Sequence, residues 1–86
     1  MTTSLPLPLL PLAALRRGQC ARIAAISADA ARRVAMLGLR RGVELSVLHG
    51  PDARGAVVRV GTARIALGRE LVDAVAVTTT PPEAMT

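Results

Sequence analysis

Apolar residues along this chain recur in short runs that glycines interrupt, and the spacing within each run changes only once. Gln19 to Ile26 reads as a first strand, with Ala21 and Ile23 on one face; the alternation is imperfect, which predicts a bulge or bend near Ile26. Ser27 to Leu37 then shifts to helical spacing, with Ala30, Ala31, Val34 and Leu37 on the inner arc and Asp29, Arg32, Arg33 and Met36 on the outer one. Ser27 or Asp29 suits the start of that helix and Gly38 its end. The segment is too short to be helical alone, so it must lie on something.

After the glycine-bounded turn Gly38 to Gly42, Val43 to Leu48 alternates cleanly, with Val43, Leu45 and Val47 against Glu44 and Ser46. His49 to Gly55 has loop composition. Ala56 to Val60 and Ala63 to Leu67 flank Gly61-Thr62, the signal for a hairpin closed by a two-residue type II′ turn. Gly68 to Asp73 suits a turn of helix and Ala74 to Val77 a last strand. The expected fold is mainly β: a small SH3-like barrel of five strands, partly open, with one short α-helix between the first and second.

The two ends read differently. Leu5 to Leu15 is strongly apolar, but Pro6, Pro8 and Pro11 rule out a helix, and the stretch is far short of the ~20 residues of a membrane span. Its basic residues, Arg16 and Arg17, follow it, the reverse of a secretory signal. The expected division is an extended lead-in at 1–9, a domain at 10–78 and a flexible tail at 79–86.

Composition sharpens this picture. Hydrophobic residues make up 51% of the 86 positions, yet Phe, Tyr and Trp are absent, so Val, Ile, Leu and Ala must build the core. The missing rings also remove any stacking platform for unpaired bases or groove for proline-rich peptides. The formal net charge is +5 and every one of the 11 basic residues is Arg, which makes anionic partners attractive. Those arginines are scattered, unlike a basic run that binds nucleic acid. Cys20 is the single cysteine; it excludes an intrachain disulfide, suits a reducing compartment, and reads as a small buried hydrophobe.

No catalytic constellation emerges, since the one His and the one Cys have no third group to orient them, and no phosphate-binding loop motif is present. The chain does not read as an enzyme. His49 and Asp52 are the best metal candidates, but they leave a coordination sphere that a second molecule would have to complete. Arg59 and Arg64 face each other across the expected hairpin, a like-charge pairing that must be offset by Glu44 on the next strand or kept for an anionic partner. Arg32, Arg33 and Met36 on the helix, beside Arg40 and Arg41, form a second surface whose composition is typical of contacts.

In order and spacing these elements resemble the FeoA family of ferrous-iron-uptake accessory proteins. The residues that carry the resemblance are Leu12-x-x-Leu15-x-x-Gly18, the Arg32-Arg33 helix leading to Leu37-Gly38-Leu39-x-x-Gly42, Val43-x-Leu45-x-Val47, Val58-x-Val60, Ile65-Ala66-Leu67, Val75 and Val77. Many members have Pro just before the second glycine, where this chain has Arg41, and the N-terminal Leu-Pro extension lies outside the family pattern.

The resemblance implies an SH3-like fold and a cytoplasmic accessory role in iron uptake, with recruitment to the inner face of the cell membrane. The implied partner is the cytosolic part of a FeoB-type, GTP-dependent membrane transporter. No nucleic acid, membrane span or required cofactor is expected; self-association and adventitious binding of a divalent metal stay open. The same barrel resembles the C-terminal domains of metal-dependent repressors. Two rival readings therefore stand beside the first: a small basic nucleic-acid-binding barrel and a metal-responsive regulatory domain.

Overall fold

The computed structural model describes residues 9–79. Its elements run β1 (Leu10–Pro11), a 3-10 turn (Leu12–Ala14), β2 (Cys20–Ile26), α1 (Ala28–Met36), β3 (Glu44–Asp52), β4 (Gly55–Val60), β5 (Ala63–Gly68), α2 (Arg69–Asp73) and β6 (Val75–Thr78). The strands form one antiparallel sheet of six in the order β1-β6-β2-β3-β4-β5, which stays open between β1 and β5. The fold is mainly β and SH3-like, as expected. The count is six strands because part of the apolar N-terminal stretch pairs with β6, Leu10 with Val77 and Pro11 with Ala76. Apart from Leu9 and Thr79, the lead-in and tail lie outside the described residues.

Inward-facing side chains of both sheet and helix meet in one aliphatic core, which contains Leu12, Ile23, Val34, Leu39, Leu45, Val47, Val58, Val72, Val75 and Val77. No polar or charged residue is buried among the described residues. Cohesion therefore comes from excluding aliphatic surface from water, a non-directional force that needs no aromatic ring. No described helix is long and apolar enough to cross a membrane.

Alternation along β2 buries Ala21 and Ile23 and turns Cys20 and Arg22 outward, so Cys20 is exposed rather than buried. The expected irregularity is present as a register shift between Ile23 and Ala25 in the pairing with β6. The largest departure in the sheet is at β3, which continues through His49, Gly50 and Pro51 to Asp52, where composition suggested a loop. Two register shifts, after Val47 and after His49, let that glycine- and proline-containing segment stay paired with β4. Gly55 opens β4 at φ +135°, and a Cβ there would lie 1.9 Å from the carbonyl oxygen of Leu67, so the strands can meet at this point only around a glycine.

Helix α1 ends in a Schellman motif. The Leu39 N–H donates to Val34 O and the Gly38 N–H to Ala35 O, both at 3.0 Å, while Gly38 takes φ +92°. This cap reverses the expected roles of two leucines. Leu37, placed on the inner arc by helical spacing, is 41% exposed, and Leu39 is 0% exposed in the core beside Val34. Leu39→Ala should therefore destabilise the protein by about 2–5 kcal/mol, whereas Leu37→Ala should cost under about 1 kcal/mol. Urea unfolding followed by far-UV circular dichroism measures both, since the chain has no aromatic fluorophore; equal losses would disprove the reversal.

Candidate functional site: an arginine-rimmed groove beside the helix

Beyond Leu39 the chain makes a second tight turn. The Val43 N–H donates to Arg40 O at 3.0 Å, and Gly42 has φ +90°, as the third residue of a type II turn requires. Arg41 occupies the second position, where proline is favoured. The turn is held from outside, with the Gly42 N–H on Ile23 O at 2.8 Å and Arg22 Nη1 donating to Gly42 O at 2.8 Å. Arg40 and Arg41 thus stand exposed on a braced platform.

Between this platform and α1 lies a groove with a volume of ≈ 360 Å³, lined by Ile26, Ala31, Ala35, Leu39, Arg40 and Arg41. Ala31 and Ala35 are one helical turn apart, so their methyl groups leave a hollow that longer side chains would fill. Arg32 sits about 60° round the helix from Ala35, and Met36, 81% exposed, lies one turn beyond Arg32. A floor of aliphatic side chains with a cationic rim can take an apolar anchor flanked by carboxylates. Arg32, Arg40 and Arg41 make no ion pair or side-chain hydrogen bond among the described residues. Their charge is available.

The sequence-predicted surface splits in two. Arg33 points the other way round α1, and its Nη2 meets Glu70 Oε2 of α2 at 3.3 Å. It ties the two helices together. Spacing identifies Arg32, Met36, Arg40 and Arg41 but not the floor, because it puts Ala31 on the inner arc and gives Ile26 and Leu39 no site role. The small pair Ala31 and Ala35 is the signal that marks a hollow.

A match to the FeoA domain model spans residues 10–79, from β1 to just past β6. The chain belongs to the FeoA domain family. Solved FeoA structures share its fold: an iron uptake regulatory protein (FeoA) is 24% identical over 85% of this chain and 100% of its own, with a TM-score of 0.76. The FeoA protein from Chlorobium tepidum is 23% identical over 88% of this chain and 75% of its own, at a TM-score of 0.71. A manganese-dependent transcriptional repressor is 28% identical over 88% of this chain, with a TM-score of 0.78, but only 44% of the repressor is matched. No curated protein matches the chain.

The remaining candidates sit elsewhere on this FeoA domain. His49 and Asp52 line one shallow hollow near the end of β3, with Arg54. Asp52 Oδ1 is already engaged there, accepting the N–H groups of Arg54 at 2.8 Å and Gly55 at 3.2 Å. No three His, Cys, Asp or Glu residues gather into a cluster able to hold a metal among the described residues.

Arg59 and Arg64 are directly opposed on β4 and β5, as the two-residue hairpin predicted. Glu44 makes no ion pair with either of them, although it lines the same hollow as Arg59. It faces Arg22 across β2 and β3, whereas Arg59 has Ser46 as its β3 neighbour, one row further along. The like-charge pair is left uncompensated by any ion pair among the described residues. Arg64→Glu should therefore raise stability by up to about 1 kcal/mol at low salt, with the gain shrinking as salt is added. Urea midpoints at two ionic strengths measure it; a loss of stability at low salt would show that the pair is not repulsive.

Proposed function

We propose that this chain is a cytosolic accessory protein of ferrous iron uptake that binds and modulates a FeoB-type, GTP-dependent membrane transporter by protein–protein contact. Membership of the FeoA domain family supports the iron-uptake setting, as does the likeness to a protein named an iron uptake regulator. The observation that carries the contact reading is the aliphatic groove edged by Arg40 and Arg41, whose guanidinium groups have no acidic partner among the described residues. An acidic, partly apolar element on the cytosolic part of the transporter fits that combination: the apolar part fills the hollow beside Ala31 and Ala35, and the carboxylates meet the rim. Docking of this kind acts on the partner's conformations and asks no bond-making chemistry of the domain.

The likeness to the manganese-dependent repressor favours one second reading, a metal-responsive regulatory domain. It predicts that manganese changes the assembly state of the purified chain, which light scattering measures.

Charge reversal at the rim tests the first reading. Arg40→Glu combined with Arg41→Glu should weaken binding to the purified cytosolic part of the transporter by at least tenfold, because each contact changes from attraction to repulsion. Both residues are exposed, so the fold should survive. Calorimetry at two salt concentrations reads the affinity. Unchanged binding by a folded double variant would overturn the groove as the docking site.

A further inference from the structure

The sheet ends on β1, two residues long, and on β5, six residues long. β5 pairs with β4 through six consecutive residue pairs without a bulge, from Gly55↔Gly68 to Val60↔Ala63. With a two-residue loop, Val60 and Ala63 form the hydrogen-bonded pair that closes the hairpin. Ala63, Ile65 and Leu67 therefore direct their backbone groups inward to β4, and Arg64 and Ala66 direct theirs away from the sheet. Neither Arg64 nor Ala66 makes a backbone hydrogen bond outside the ladder among the described residues, and both are exposed. Helix α2 follows Gly68 and packs at that end, leaving Ala63 to Ala66 open.

An open edge of this length invites another strand, and charge decides which. Arg64 and the facing Arg59 give the edge two uncompensated positive charges. A second copy of this chain pairing through its own β5 would bring two more arginines against them. A strand with carboxylates at alternate positions meets the same row with opposite charge.

We propose that β5 accepts an extended acidic segment of a protein partner as an added antiparallel strand, paired to the backbone of Arg64 and Ala66 and held by the Arg59–Arg64 row. Alternation fits this mode, because every second side chain of an added strand falls on the arginine face. β5 is a separate element from the groove, and strand addition there does not depend on docking at the groove.

The test uses the full chain, isotope-labelled, and two synthetic ten-residue peptides, one alternating Glu with Val and one alternating Lys with Val. The Glu peptide should slow hydrogen exchange at the Arg64 and Ala66 amides at least tenfold, and the Lys peptide should leave both unchanged. Ala66→Pro removes an N–H that the β4 ladder does not use, so the variant should keep its far-UV spectrum and lose the protection at Arg64. If that variant fails to fold, Arg59→Ala with Arg64→Ala takes its place and should weaken peptide binding at least threefold with the sheet intact. Equal protection by both peptides, no protection up to millimolar peptide, or full binding by a folded variant would overturn the proposal. So would protection of these amides by dimerisation of the chain alone.

Discussion

The reversal of the chain at Gly38 is the constraint on which the rest of the helix side depends. A left-handed backbone there lets Leu39 and Gly38 donate to carbonyls of the last helical turn, and the helix stops because its end groups are satisfied. That stop swings Leu39 into the core against Val34 and leaves Leu37 outside. Four residues after Gly38, Gly42 repeats the left-handed geometry and starts the approach to β3. Arg40 and Arg41 stand out between the two reversals. The cationic rim is thus a by-product of how a short helix is ended and a leucine is buried.

The charged residues divide by what they touch. Arg22, Arg33 and Arg69 are engaged within the fold: Arg22 with Gly42 O, Arg33 with Glu70, and Arg69 with Asp73 and with Asp52 O. Each contact is exposed and weak by itself, but each fixes the place of a turn or a helix relative to the sheet. Arg32, Arg40, Arg41, Arg59 and Arg64 lack such partners among the described residues, and they frame the groove and the β5 edge. Since no polar or charged residue is buried among the described residues, their polar side chains all lie outside the aliphatic core.

The same fold occurs in FeoA proteins and in part of a manganese-dependent repressor, so the architecture alone does not separate their roles. The separation lies in surfaces. In this chain two alanines one turn apart on α1 make room for an apolar anchor, and one hairpin places two arginines face to face. Neither feature is needed to hold the sheet together. The arginine pair works against it.

Features governed by neighbours in the chain were legible in the residues: the helix after β2, the alternation from Val43 to Val47, and the hairpin around Gly61-Thr62 with Arg59 opposite Arg64. A two-residue loop leaves one register, and alternation leaves one buried face, so these follow from covalent connectivity and sterics. Other features required the whole structure. The stop at Gly38 was legible, but helical spacing counted Leu37 as inward because it does not show how the reversal after the stop brings Leu39 into the core instead. Composition counted His49 to Asp52 as loop because only pairing with β4 draws that glycine and proline into a strand. Its place on the next strand offered Glu44 as the neutraliser of Arg59, but the registers set Ser46 beside Arg59 and Glu44 opposite Arg22. The sixth strand likewise joins segments distant in sequence, Leu10 and Pro11 against Val77 and Ala76, and no local pattern encodes a contact whose two halves are set by long-range pairing.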